Sequence, residues 1–236
     1  MNLLEIKDLT SVYEGVQILW GVNLRLEQGK LTTLVGSNGV GKTTLLSTAM
    51  GLLRPWQGTV TFAGQDVTNL PAYARAKAGM VLVPEGRQLF TDMTVLENLE
   101  MGAFSKRARA SFQKNLDQVF ELFPRLKERA KQKAGTLSGG EQQMVAVARG
   151  LMDEPEILIS DELSLGLSPL LALTLFESLT QLRKTGLTML LVEQNVSMAL
   201  AVSDYAYVLA EGRVHLQGPA RDLLKNDEVK RTYLGI

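Results

Sequence analysis

Cysteine is absent from the 236-residue chain, which excludes disulfides and thiolate metal sites and suits a reducing cytoplasm. Net charge is absent too: 25 Lys and Arg balance 25 Asp and Glu, so no overall field argues for nucleic acid as a partner. The N-terminal MNLLEIKDLT is acidic by position 5 and lacks a long apolar stretch, unlike a signal peptide. Apolar runs such as LTMLLV (187–192) fall far short of the roughly 20 residues that cross a bilayer. A soluble chain is therefore expected. Internal repeats and low-complexity tracts are missing as well. What remains, 45% hydrophobic residues, suffices for one sizeable core and one domain over residues 1–236.

Short apolar runs alternate with helical patterns. LTTLV (31–35), MVLV (80–83), EILIS (156–160), TMLLV (188–192) and YAYVL (205–209) read as strands buried on both faces. Residues 43–53, 170–184 and 196–202 read as helices, so a parallel α/β sheet is expected. The first 30 residues and residues 58–67 alternate around Gly-containing turns, as an antiparallel sheet does. From Thr94, with Glu97 completing a capping box, to about residue 150 the pattern is almost wholly helical. We divide the chain into a core of residues 1–84 and 152–236 and an inserted helical lobe of residues 85–151. Within that lobe, residues 104–134 hold nine Lys or Arg against three Asp or Glu, a basic surface read first as a solvated helix face and otherwise as one drawn to acidic headgroups or an acidic partner.

GSNGVGKT (36–43) follows a strand and opens a helix, the context that a phosphate-binding loop requires. Gly36, Gly39 and Gly41 allow the tight turn in which successive N–H groups surround phosphate oxygens. Lys42 supplies a charge between the β- and γ-phosphates, and the Thr43 hydroxyl is a ligand for Mg²⁺. ILISDE (157–162) ends a buried strand in two carboxylates at the carboxyl edge of the sheet, where ligands of open α/β folds bind. Asp161 is the acid on the Mg²⁺ side, and Glu162 is placed to polarise an attacking water. The two motifs together specify a nucleoside triphosphatase.

TLSGGEQQ (136–143) is a second candidate anion grip. Ser138 and Glu141 form a capping box. Gly139 and Gly140 each cost about 0.5–1 kcal/mol against alanine inside a helix. They make sense if something approaches the backbone closely, and an anion at a helix start is the obvious candidate. A turn within the helical lobe is poorly placed to fold onto its own phosphate loop, so a second chain is the economical solution.

GSNGVGKTT, LSGGEQQ and ISDE, in this order and spacing, resemble the ATP-binding cassette (ABC) superfamily over essentially the whole chain. The resemblance implies a P-loop NTPase core with an N-terminal antiparallel β subdomain and an inserted helical subdomain. It implies ATP and Mg²⁺ as cofactors and two cassettes packed head to tail. The phosphate loop, Gly36, Ser37, Asn38, Gly39, Val40, Gly41, Lys42, Thr43 and Thr44, would then bind ATP in cis. Ser138, Gly139, Gly140 and Glu141 would contact the nucleotide of the other cassette. Tyr13 matches the family's aromatic ring under the adenine. VPEGRQLFTDMTVLENL (83–99), LFPRLKER (122–129), VEQN (192–195) and the terminal YLG (233–235) resemble the ATPase subunits of branched-chain amino acid importers. Close relatives of that branch move urea or short amides.

From this resemblance follow the expected partners: a second cassette in a hetero- or homodimer, two transmembrane permease subunits and, indirectly, a solute-binding protein. The expected place is the cytoplasmic face of the inner membrane, held peripherally. Four positions depart from the common pattern. Glu85 stands where a glutamine lines the Mg²⁺ site. Gln194 replaces the switch histidine; its amide donates to a γ-phosphate oxygen but gains no charge at neutral pH. Leu163 replaces a proline, freeing Glu162 from the restriction on residues before proline. Ser160 puts a hydroxyl in a buried strand and needs a partner. The last two could lower turnover. His215, the single histidine, is read as structural.

Overall fold

The structure, a computed structural model, describes residues 1–234, the side chains of Tyr233 and Leu234 excepted; the terminal motif extends to Gly235, outside the described residues. In chain order the elements are β1 (Asn2–Tyr13), β2 (Val16–Glu27), β3 (Leu31–Val35), α1 (Lys42–Ala49), β4 (Gln57–Phe62), β5 (Gln65–Asp66), α2 (Ala72–Lys77) and β6 (Met80–Val83). A helical stretch follows: α3 (Val95–Gly102), α4 (Lys106–Ala110), α5 (Phe112–Leu122), α6 (Pro124–Glu128) and α7 (Gly139–Leu151). The chain then returns to alternation with β7 (Ile157–Asp161), α8 (Pro169–Lys184), β8 (Thr188–Glu193), α9 (Val196–Val202), β9 (Tyr205–Ala210) and β10 (Arg213–Pro219).

Two sheets result. An antiparallel sheet has the order β2-β1-β4-β5, and a six-stranded sheet has the order β10-β9-β3-β8-β7-β6. In the second, β9, β3, β8, β7 and β6 run parallel and only β10 is antiparallel. All five residues of β3 and of β7 and all six of β8 are buried. The pleat explains why: Leu34, Ile159, Leu190 and Leu209 face a core shared with α1 and the antiparallel sheet, whereas Val35, Leu158, Leu191 and Val208 face a core shared with α3, α5, α7, α8 and α9.

The expected helix over residues 43–53 stops early, at Ala49. Gly51 turns left-handed at φ +74°, a conformation that glycine adopts freely. Beyond it lies Arg75 of α2, a helix the sequence pattern did not announce. The Arg75 guanidinium is buried, donating to the carbonyls of Thr48 and Ala49 at the end of α1 and to those of Leu70 and Thr68. A cation at the C-terminal end of a helix is favourably placed against its dipole, so Arg75 anchors the helix that the phosphate loop opens.

The helical stretch opens as expected, with the Thr94–Glu97 capping box formed in both directions. It packs continuously onto the core. A Cβ on Gly150 of α7 would lie 3.1 Å from Val83 and 3.2 Å from Leu158, so α7 seats its C-terminal half on β6 and β7 while its N-terminus projects beyond them. Basic residues in the stretch are partly paired, Arg107 with Glu154 and Arg129 with Glu141.

Candidate functional site

The parallel strands deliver their carboxyl ends to one edge. There β3 leads into the phosphate loop, β7 into Asp161 and Glu162, β8 into Gln194, and β6 toward Glu85. In the loop, Gly39 has φ +79° and Gly41 φ +103°, values that strain any side chain bearing a Cβ. Gly36 needs its missing Cβ for space: one would sit 2.5 Å from the Leu209 carbonyl. Gly41 is similarly crowded by Leu19 and Ile18 of β2. The β1–β2 hairpin therefore flanks the loop, and Tyr13, half exposed, stands at its tip.

Lys42 is buried, and its ammonium donates to the carbonyls of Gly36 at 2.9 Å and Ser37 at 3.0 Å. Its third contact is the Glu162 carboxylate at 3.1 Å. Thr43 donates its hydroxyl to Asp161 Oδ2 at 3.1 Å. The other oxygen, Asp161 Oδ1, is buried with no hydrogen-bond partner. Burial, with Glu162 and Glu85 adding repulsion, pushes the Asp161 carboxyl up to about 6 against the pull of Thr43 and Lys42. A buried carboxylate oxygen without a donor, beside a hydroxyl, fits a hard divalent cation. Glu85 is exposed and acts on Asp161 through space.

Glu162 has φ +48°, an unusual backbone for a residue with a Cβ. A proline at 163 disfavours that conformation in the residue before it; Leu163 permits it and is itself fully buried. Glu162 and Gln194 line a common cavity of about 340 Å³ together with Ser164, Leu165, Gly166, Glu193 and Asn195. Ser160 meets its expected need only weakly, its hydroxyl donating to the Leu190 carbonyl at 3.5 Å.

At the start of α7 the capping box closes as expected, Glu141 N–H donating to Ser138 Oγ and Ser138 N–H to the Glu141 carboxylate. Glu141 also pairs with Arg129 at 2.8 Å, so its carboxylate is engaged within the chain. The two glycines have neighbours that the sequence did not reveal. A Cβ on Gly140 would lie 2.7 Å from Leu171, and one on Gly139 would lie 3.0 Å from the Arg87 guanidinium, which donates to Gln142 at 2.9 Å. The close approach at these glycines is that of the chain's own Leu171 and Arg87. No hydrogen bond or ion pair among the described residues joins 138–141 to 36–44.

Residues 19–164 match the ABC transporter family. The chain belongs to the ABC transporter family. It is 43% identical over 233 residues, 99% of this chain and 100% of the relative, to the high-affinity branched-chain amino acid transport ATP-binding protein BraG of Pseudomonas aeruginosa. It is 38% identical to the probable branched-chain amino acid transport ATP-binding protein LivF of Archaeoglobus fulgidus, covering 99% of each. Among solved structures, the ADP conformation of the ATP-binding cassette MJ1267 superposes with a TM-score of 0.85 at 28% identity, each chain covered completely. A dimeric post-hydrolysis state of the cassette MJ0796, bound to ADP and Pi, gives 0.78 at 25% identity over 92% of this chain and 99% of that one. The fold is that of the ABC ATPase, and the chain is an ATP-hydrolysing transporter subunit.

The single histidine takes no part in this edge: His215 lies on β10, 2.7 Å from Glu228. Sequence reading missed Arg75, Arg87 and Glu193. The last two lie inside VPEGR and VEQN, motifs used for resemblance without asking what each side chain touches.

Proposed function

We propose that this ABC subunit binds ATP with Mg²⁺ between two cassettes and drives import of branched-chain amino acids through membrane permease subunits. The observation that carries the reading is the Lys42–Glu162 ion pair beside the unpartnered Asp161 oxygen. It is an arrangement poised for a phosphate and a cation. The N–H groups of Ser37 to Thr44 and the Lys42 ammonium hold the phosphates. A γ-phosphate draws Lys42 to itself and releases Glu162 to polarise water. Thr43 and Asp161, with Glu85 nearby, would hold Mg²⁺, whose chemistry is to neutralise charge developing on the phosphates. Gln194 donates its amide to a terminal oxygen, Tyr13 lies under the adenine, and Ser138, Gly139 and Gly140 close over the nucleotide of the other cassette. Glu141 shapes that turn through its cap.

Three observations support the partners and solute. No helix among the described residues is long and apolar enough to cross a membrane, so passage of a solute calls for other subunits. A groove of about 390 Å³ between β6, α3 and α7 exposes Phe90 and Met101, an apolar seat suited to a permease segment at the cytoplasmic face. Both relatives named above act in branched-chain amino acid transport. We further propose residues 85–151 as the moving helical lobe and the remainder as the catalytic core. In the transporter purified with its membrane subunits, Glu162→Gln retains ATP binding and loses turnover. Unchanged turnover would sink the assignment. Stimulation of hydrolysis by a branched-chain amino acid with its binding protein, and not by urea or a short amide, tests the solute.

A further inference from the structure

Glu193 is the last residue of β8, and its carboxylate is buried, with 1% of the residue exposed. Among the described residues no Lys, Arg or His pairs with it. It instead accepts the Ser164 N–H at 3.0 Å and the Ser164 hydroxyl at 2.6 Å. The Leu163 amide also favours its charged form, an N–H that a proline there could not supply. Burial pushes this carboxyl above its ordinary range, and these donors pull it back. A buried carboxylate without a cation is costly, so its place between Ser164 and Gln194 calls for a reason.

The position explains the arrangement. Ser164 is two residues after Glu162, whose left-handed backbone has to be held in place. Gln194 follows Glu193 directly, and all four residues line one cavity. The Glu162 N–H bonds to the Val192 carbonyl at 2.9 Å, so the two segments are tied twice. We propose that Glu193 is a positioning residue for hydrolysis: its grip on Ser164 sets Glu162 and joins it rigidly to Gln194, so that both address one terminal phosphate together. The inference rests on the roles proposed for Glu162 and Gln194 above.

The test uses the transporter with its membrane subunits. Glu193→Gln keeps the shape but removes the charge and turns one acceptor into a donor, so the Ser164 hydroxyl has to reverse from donating to accepting and the charge-assisted bond at 2.6 Å is lost. It should lower kcat about tenfold or more, as loss of a catalytic group's orientation does, with KM for ATP within about twofold and melting of the isolated chain little changed. Ser164→Ala should do the same, Ser164→Thr should recover most of the loss, and the double variant should be no worse than either single one, because the two act as a unit. Wild-type kcat in Glu193→Gln, or additive losses in the double variant, overturns the proposal. If Glu193→Gln does not fold, the Ala and Thr variants of Ser164 decide: equal kcat in both overturns it. Glu162→Gln runs alongside. An active Glu162→Gln defeats the underlying reading, whereas an inactive Glu162→Gln beside a fully active Glu193→Gln defeats this proposal alone.

Discussion

The two glycine turns proposed to grip phosphate are built differently. The loop at 36–43 is walled by Leu209, Leu19 and Ile18, with a buried cation inside and a carboxylate held ready against it. The turn at 138–140 opens a helix with Ser138 exposed and Gly140 buried, closed on itself by its own cap. The first has the steric enclosure and charge to hold a phosphate alone. The second is already occupied by its own chain: Leu171 crowds Gly140, the Arg87 guanidinium lies beside Gly139, and the Ser138 hydroxyl donates to Glu141.

That contrast can be broken most forcefully through chemistry. Glu162→Gln should cut steady-state phosphate release by about 100-fold or more, the scale of a lost general base, while ATP affinity stays. Next come the grips themselves. Lys42→Ala removes a charge-assisted contact and should weaken ATP binding to the isolated chain by about 10- to 100-fold. Ser138→Ala should leave that binding unchanged and lower turnover of the assembled transporter by about tenfold. Equal effects of both variants on isolated-chain affinity, followed by fluorescence titration, would erase the distinction.

Smaller effects sharpen the comparison through stability. Asp161 is held at about 6 by burial, above the ordinary 3.8. The folded, metal-free chain therefore binds this proton more tightly than the unfolded chain, and the group's contribution falls as pH rises across that interval. Asp161→Asn should raise the melting temperature of the metal-free chain by a few degrees at pH 7.5, with less gain at pH 5 and turnover lost. No gain at either pH contradicts the unpaired carboxylate. Smallest is Gly140→Ala, which pushes against Leu171 and should cost about 1 kcal/mol, measured by denaturant melting. Adding Leu171→Ala relieves the clash; if turnover returns along with stability, the glycine serves packing and not the nucleotide.

Much of the architecture was legible because local chemistry and final environment agree. LTTLV and TMLLV are apolar-rich runs that the fold covers on both faces, whereas MVLV, expected to be buried likewise, forms the edge strand β6 with Val81 and Leu82 only partly buried. The capping boxes at Thr94 and Ser138 each lie within four residues and formed as written. Helix α1 was read too long because its end depends on Arg75, whose partners lie 26 and 27 residues away. Glu193 and Ser164 are 29 residues apart and Arg87 and Gln142 are 55 apart, beyond any periodicity.

Local spacing alone therefore determined the central strands, the capped helix starts at Thr94 and Ser138, the glycine loop at 36–43 and the paired acids at the end of β7, since each depends on neighbours along the chain and on whether a side chain prefers oil or water. The pairing of Lys42 with Glu162, the isolation of one Asp161 oxygen, the left-handed turn at Glu162 and the clamp by Glu193 were decided only when five strands brought their ends to one edge. Folding removes water from those groups, and only without water does it matter which charge stands next to which.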